Sequence, residues 1–452
     1  MTNTDKQYKI IFDAIEESKE KILATERYIW TNPELGFREW KTHNYLKEEF
    51  ERLGYTVTEA GDIPGFYTDI DTGREGPKVA VFAEMDALLI PDHPECDKET
   101  GVVHACGHHF QCAALLGIAI ALKKEGSLDA LSGSIRLIAV PCEEMSDMAY
   151  IKSLIEKGTL HFYGGKQEFL YRGYLDGVDM AIMVHGRGKG FAINQGCNGS
   201  ISKHFTFIGK SAHAAGAAGS SNALYAANTA MAAANALRES MSGINLERYS
   251  AIITNGGEAV NVIPAVVKVA AQVRGLTMNS ILSLNEKINR AYAAGALSQG
   301  CRLIIDDSLG YSPRKEDKNL QNAFLSIAKL LFDEDEISVL KNHAAGCTDM
   351  GDISMVMPVC HAFVGGGEGN GHTKDYRVRD AYLGCVTNAK LQTGVLVHLL
   401  ENDAELAKKV ISEKQVEYPS IEAYLDGANA ISFKGEAITY CEDGRIEIKI
   451  KK

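Results

Sequence analysis

Apolar runs that end abruptly in polar, metal-capable residues recur along this chain. "KVAVFAEMD" has the pattern of a buried strand and closes on Glu84 and Asp86. "SIRLIAVPCEE" and "VDMAIMVHG" repeat the arrangement, closing on Glu143, Glu144 and His185. Between the first and second of these runs, "CAALLGIAIALKK" reads as a helix that directly follows "HACGHHF" at 104–110. Upstream, residues 5–54 predict two helices, with "THNYLKEEFERLGY" amphipathic and closed by Gly54. In open α/β sheets, ligands gather beyond the carboxyl ends of the strands, so three separate stretches direct their chemistry to one edge.

From about residue 198 the texture changes. "SKHFTFIG" alternates like a half-exposed strand, and "SSNALYAANTAMAAANALRESM" is an Ala-rich helix. "RYSAIITNGG" and "VVKVAAQVRG" predict strands, "ILSLNEKINRAYAAGALSQG" a helix and "CRLIIDD" a strand. The order βαββαβ predicts a ferredoxin-like insert of roughly 110 residues. After about 312 the first texture returns, with a helix at "EDKNLQNAFLSIAKLLF", a strand at "VCHAFVG" and a long helix near 379–401. The expected organisation is one domain split by another: 1–197 and 312–452 around an insert at 198–311. From about 411 an extension follows, ending in the hairpin-like "EAITYCEDGRIEIKIKK", with no chemistry of its own.

Composition narrows the class. At 452 residues, with 45% hydrophobic and 23% charged positions, the chain suits a two-domain globular protein. A net charge of -12 argues against nucleic acid or an anionic membrane as the main partner. No apolar run of about eighteen residues is present, so no membrane span is expected. The N-terminal stretch lacks the apolar core of a signal peptide, and the ten cysteines lack a disulfide-scaffold spacing. A cytoplasmic enzyme with reduced thiols is the expectation.

Three of the 13 histidines and one cysteine fall within seven positions at 104–110. Alone, that stretch is equally compatible with packed side chains. Joined to the other strand ends it offers Cys106, His108, one carboxylate of Glu143 and Glu144, His185, and His372 in "GNGHTKDY". Thiolate, imidazole and carboxylate are the ligands zinc prefers, and five such donors suit two ions sharing a bridge better than one. Of two adjacent carboxylates, one can coordinate while the other takes a proton from water. Singly, each feature has an ordinary reading: a solvated Glu pair, a packed histidine, a helix cap at Asp86. Their coincidence at equivalent strand ends points to metal chemistry.

The series "NPELGFRE", "MDALL", "HACGH", "CEE", "VHG", "AHAAG", "NVIP", "TDMGDIS" and "GHTKDY" resembles the aminoacylase/carboxypeptidase metallopeptidase family of clan MH over roughly residues 25–400. Within it, the chain is most similar to the amidohydrolase branch of indole-acetyl-amino-acid and aminobenzoyl-glutamate hydrolases. The resemblance implies an α/β catalytic domain, a mixed sheet flanked by helices, interrupted by a ferredoxin-like lid that forms a homodimer. It implies two divalent ions per subunit, with Cys106 bridging and His108, Glu144, His185 and His372 as further ligands. Glu143 resembles the general base and Asp86 the residue that orients the site. His213 resembles a lid histidine that reaches the partner subunit's site and stabilises the oxyanion. Asn261 and Arg274 resemble substrate-holding residues. A guanidinium fork suits a carboxylate, although Arg274 reads equally as a surface strand residue.

The implied reaction is hydrolysis of the amide of N-acyl amino acids by metal-activated water. Dipeptidase or carboxypeptidase action on small peptides is the alternative. A catalytically silent binding protein would normally have lost ligands or base, and here none is missing. A thiolate favours zinc, while imidazole and carboxylate also accept manganese, cobalt or nickel. Two departures stand out. The link from Glu144 to His185 is longer than in typical relatives, carrying Met145 and Ser146 in place of glycines, and is expected to border the substrate cleft. His109 stands where many relatives have Asp or Asn, and reads either as support for a ligand or as a packed side chain.

Overall fold

Three helices, where the sequence predicts two, open the chain: α1 (Asn3–Glu17), α2 (Lys19–Thr31) and α3 (Trp40–Arg52). The extra boundary is Ser18, whose ψ of 6 leaves the helical range and splits one apolar pattern into two. The computed structural model describes residues 3–450. The strands up to the change of texture are β1 (Thr58–Glu59), β2 (Phe66–Asp71), β3 (Lys78–Glu84), β4 (Ser134–Val140), β5 (Met180–Gly186) and β6 (Phe191–Ile193). They are followed by β7 (Gly199–Ile208), β8 (Arg248–Asn255), β9 (Val266–Gly275) and β10 (Arg302–Tyr311). The last four are β11 (Ile337–Val339), β12 (Val359–Val364), β13 (Phe433–Tyr440) and β14 (Ile446–Ile448). The remaining helices used here are α4 (His108–Lys123), α5 (Met148–Glu156), α6 (Gly165–Tyr171), α7 (Ala223–Ala236), α8 (Met278–Ser298), α9 (Lys318–Leu331) and α10 (Asn388–Ser412).

The chain divides into two compact units. The first holds the described residues up to Gln195, with Lys315–Asn342 and Asp352–Ile421. Among the described residues its main sheet has eight strands in the order β1-β2-β4-β3-β5-β12-β6-β11. The centre is parallel: β4, β3, β5 and β12 run the same way, so their carboxyl ends share one edge. β3 and β4 are buried along nearly their whole length, as parallel strands covered on both faces must be. Helices α1, α2, α4, α9 and α10 supply the apolar layer against them. α4 is apolar around almost its full circumference and is correspondingly buried. The long helix expected near 379–401 starts as a π-helical turn at Tyr382–Thr387 and continues as α10, which breaks at Glu401–Ala404, where the backbone leaves the helical range, before a further helical stretch to Ser412.

The second unit holds Gly196–Arg314, His343–Gly351 and the described residues from Glu422. It has the βαββαβ order β7-α7-β8-β9-α8-β10, and its antiparallel sheet runs β8-β9-β7-β10-β13-β14. The sequence groups all of 312–452 with the first domain, yet the C-terminal hairpin belongs to the second. β13 pairs with β10, with Leu303 opposite Ile438 and Asp307 opposite Phe433. The cause is an unpaired edge. A βαββαβ sheet leaves β10 open on one side, and the hairpin covers it while burying Ala437 and Ile438 completely.

The segment that departs from the family pattern forms α5 and α6. Asp147 caps α5 by accepting the Tyr150 backbone N–H at 3.0 Å. α6 docks on the loop that follows β4, where Gly165 N donates to the Cys142 carbonyl at 3.0 Å. A Cβ at Gly165 would lie 1.7 Å from the Pro141 carbonyl oxygen, so only glycine permits this approach. Gly165→Ala is therefore expected to destabilise the protein by about 1–3 kcal/mol through overpacking, read as a lower urea midpoint. An unchanged midpoint would contradict the docking.

Candidate metal centre

The parallel strand ends deliver the donors. β3 ends in Glu84, with Asp86 two residues on, and β5 carries His185. After β4 the loop turns twice: Cys142 (φ 50) and Met145 (φ 48) both take left-handed conformations and bracket Glu143 and Glu144. Two fixed contacts hold the first turn. Glu39 Oε1 accepts the Cys142 N–H at 2.8 Å, and Gly36 packs so closely that a Cβ there would come within 2.5 Å of the Cys142 sulfur. His372 is also left-handed, at φ 62, and its N–H is bound to the Ala105 carbonyl at 2.9 Å. That bond places the last histidine beside Cys106.

Within the first unit three sets of donor atoms result, each with all members within 4.8 Å of one another: Cys106, His108 and His185; Cys106, Glu144 and His372; His108, Glu143 and Glu144. Cys106 belongs to two of the sets. Its sulfur lies 3.3 Å from His185 Nε2. His372 Nε2 lies 3.2 Å from Glu144 Oε1, with the His372 side chain 55% exposed and Glu144 only 8%. Asp86 contacts two of the candidate donors, placing Oδ1 3.1 Å from His108 Nδ1 and accepting the Glu144 N–H on Oδ2 at 2.8 Å. It does not cap a helix.

Hydrogen bonding fixes the tautomers. His108 Nδ1 donates to the Asp86 carbonyl at 2.9 Å and His185 Nδ1 to the Gly186 carbonyl at 2.9 Å, so both turn Nε2 toward the centre. His108 Nε2 is buried without a hydrogen bond, as is Glu144 Oε1. His108 Nε2 instead faces Glu84 Oε2 at 3.1 Å. Burial pushes the Cys106 thiol well above its usual value, and Glu144 adds to this. Burial opposes charge on His108, but Glu84 and Cys106 hold its pKa well above that of ordinary imidazole. For Glu144, burial is outweighed by His372 and His108, and the carboxyl stays below its usual range. Buried acceptors crowded in this way demand positive charge, and a thiol, three imidazoles and carboxylates fit a pair of divalent ions.

The other two histidines of the cluster are packed. His104 and His109 are buried and none of their ring nitrogens has a hydrogen bond. His109 sits edge-on to Trp30 at 4.9 Å and against Phe110 at 4.0 Å. It touches no candidate ligand through a hydrogen bond, so the packed reading holds. Glu26 Oε1 lies 3.6 Å from His109 Nε2, but burial pushes Glu26 up to about 7 and His109 well down. Below about pH 7 the two face each other as neutral groups rather than as an ion pair.

Sequence reasoning missed the polar face of α6. Lys166, Gln167 and Glu168 are all essentially inaccessible to solvent. Lys166 Nζ reaches Glu84 Oε1 at 2.5 Å, and Gln167 Nε2 donates to Asp352 Oδ1 at 3.0 Å. Glu168 Oε2 accepts the backbone N–H groups of His161 and Phe162 at 2.8 and 3.1 Å. The available signal was "GGKQE", a glycine pair before three polar residues in the segment already marked as unusual.

The three remaining candidates lie in the second unit. His213 pairs across a short ladder with Val262, and the Ala214 N–H donates to the Asn261 carbonyl at 3.0 Å, which brings His213 and Asn261 together on an exposed surface. Arg274 is at the far end of β9, half-buried, with Nε on Gln272 Oε1 at 2.8 Å and Nη1 on the Ala345 carbonyl at 3.1 Å.

The model of peptidase family M20/M25/M40 matches residues 80–398. The chain belongs to that family and is an amide-bond hydrolase. It is 27% identical to the Xaa-Arg dipeptidase of Mus musculus over 386 residues, covering 80% of this chain and 81% of the relative. It is 28% identical to the N-acetyl-L-cysteine deacetylase of Bacillus subtilis, over 62% of this chain and 66% of that one. Its fold is similar to that of the YXEP protein of Bacillus subtilis, described as a dinuclear metal binding peptidase. There the TM-score is 0.66 at 20% identity, over 85% of this chain and 99% of the other.

Glu26 supplies a pH test. Its folded pKa of about 7 exceeds the ordinary carboxyl value of 4.5, so the native state holds a proton that the unfolded state releases between those values. The stability this contributes is complete below about 4.5 and lost as pH rises through 7. Glu26→Gln should therefore raise the melting temperature at pH 8 by more than at pH 5. Equal shifts at the two pH values would show that Glu26 does not titrate in this window.

Proposed function

We propose that this protein hydrolyses the amide bond of N-acyl amino acids, with Cys106, His108, Glu144, His185 and His372 holding two divalent ions. The observation that carries the reading is that the five donors fall into two sets, Cys106, His108 and His185, and Cys106, Glu144 and His372, which have Cys106 alone in common, as a ligand shared by two ions must be. Bound ions would supply a more acidic water and positive charge opposite the carbonyl oxygen. Glu143, 7% exposed and grouped with His108 and Glu144, takes the proton of the attacking water and returns it to the leaving nitrogen. Asp86 keeps His108 Nε2 directed inward and fixes the backbone of Glu144.

His213 is the oxyanion donor in this reading, supplied by a second copy of the chain. Its Nδ1 accepts the Ala215 N–H at 3.2 Å, which leaves the proton on Nε2, the atom an oxyanion needs. Asn261 and Arg274 hold the substrate, Arg274 through its carboxylate. A homodimer through the second unit is supported by the sheet edge at β8, which exposes Ile252 and Ile253 beside Val260 and Tyr225. The thiolate favours zinc over manganese, cobalt or nickel. The cysteines, whose spacing is not that of a disulfide scaffold, support a reducing, cytoplasmic setting, and no helix among the described residues is long and apolar enough to cross a membrane. A dipeptidase is the second reading, favoured by the extended similarity to the mouse enzyme.

Assays of N-acyl amino acids against dipeptides, with and without a chelator, separate the two substrates. No chelator-sensitive cleavage of either class would sink both readings. Glu143→Gln should keep wild-type metal content by elemental analysis and lose about 10²–10⁴ in turnover. Cys106→Ala should lower metal content, and an unchanged stoichiometry would remove the shared-ligand role.

A further inference from the structure

The mechanism above makes no use of the buried lysine on α6. Lys166 is completely inaccessible, and its ammonium lies 2.5 Å from Glu84 Oε1 inside the first unit. The other oxygen of Glu84 is engaged differently. Oε2 accepts the Gln111 amide at 2.8 Å and stands 3.1 Å from His108 Nε2, while the Gln111 carbonyl oxygen accepts the Glu84 N–H at 3.1 Å. His108 is thus held between two carboxylates, Asp86 on Nδ1 and Glu84 beside Nε2. Only the second of these is tied to a cation from another element.

We propose that Lys166 is a positioning residue for the metal centre: its buried ammonium fixes Glu84 against His108 and so sets the imidazole that receives an ion. Two observations carry this beyond an ordinary ion pair. First, a buried pair is costly compared with apolar packing, so its retention at full burial beside a candidate ligand marks a constraint other than stability. Second, α6 is built to deliver the lysine. Gly165 brings the helix within contact of Pro141, in the same loop that carries Glu143 and Glu144, and Gln167 and Glu168 anchor it with further buried hydrogen bonds. Lys166 also supplies the positive charge that Glu84 would otherwise draw from the ions, leaving their charge to Cys106 and Glu144. The inference rests on the reading of the five donors as an ion-binding set, and it assigns the unusual segment between Glu144 and His185 to the support of that set.

The test is ion affinity, not turnover. Lys166→Met keeps the stem and removes the charge. Zinc affinity by competition with a chromophoric chelator, and the visible spectrum of the cobalt-substituted protein, are read on a variant whose circular dichroism matches wild type. A loss of about 10- to 100-fold in affinity, with an altered cobalt spectrum, is expected for a group that orients a ligand. A lower melting temperature with wild-type affinity and spectrum would reduce the pair to a structural tie and overturn the proposal. If Lys166→Met does not fold, Glu84→Gln/Lys166→Met leaves no unpaired buried charge and takes its place. That variant should still bind zinc at least about tenfold more weakly, and wild-type affinity in it would be equally fatal. Should the wild-type protein bind no divalent ion, the site reading itself falls and this proposal with it. Normal binding by wild type and variant alike removes only the role of Lys166.

Discussion

One carboxylate, Asp86, joins the ends of two parallel strands to the helix that follows the Cys/His loop. One of its oxygens meets His108 at the start of α4, and the other holds the backbone of Glu144 beyond β4. Each contact is an ordinary hydrogen bond, but together they fix the tautomer of one donor and the position of another. The rest of the centre follows from that constraint. With Nδ1 committed, His108 turns Nε2 inward, where it meets Glu84, Cys106 and Glu144. Carboxylates and a thiol crowded in a dry interior are unfavourable unless positive charge joins them, as a proton on the imidazole or as a bound cation. The chain has therefore folded its strand ends into an arrangement that positive charge completes.

The backbone shows a related economy. Cys142, Met145 and His372 are non-glycine residues with positive φ, and all three lie at or beside the donors. Such conformations cost of order 1–3 kcal/mol each and persist where neighbours over-determine them. The neighbours are identifiable: Glu39 and Gly36 hold Cys142, and the Ala105 carbonyl holds His372. Much of the sequence around "NPELGFRE" thus serves a loop about a hundred residues downstream.

What the sequence made legible was whatever depends on local pattern. Apolar strands ending in Glu84, Glu143, Glu144 and His185 announce a parallel sheet and its functional edge, and alternation with an Ala-rich helix announces the βαββαβ unit. Long-range pairing was not legible. The last hairpin has a clear strand pattern, but nothing local says that its partner is β10. Buried charge was equally hidden. "GKQE" reads as a solvated helix start, and only the close approach at Gly165 explains why those side chains point inward. His109 is the opposite case, a metal-capable residue in a metal-rich stretch that packs against Trp30. Ring packing leaves no periodic trace in a sequence.

The order of strands along the chain has a consequence for how the molecule is made. β12 lies between β5 and β6 in the first sheet, although about 165 residues separate it from β6 in sequence. In the second sheet, β13 reaches back to β10 across roughly 120 residues. Each sheet waits for a strand synthesised after most of the other has been made. Contacts this remote carry a large loop-closure cost, so both sheets close late and slowly, with at least one edge of each of β5, β6 and β10 transiently open on the nascent polypeptide.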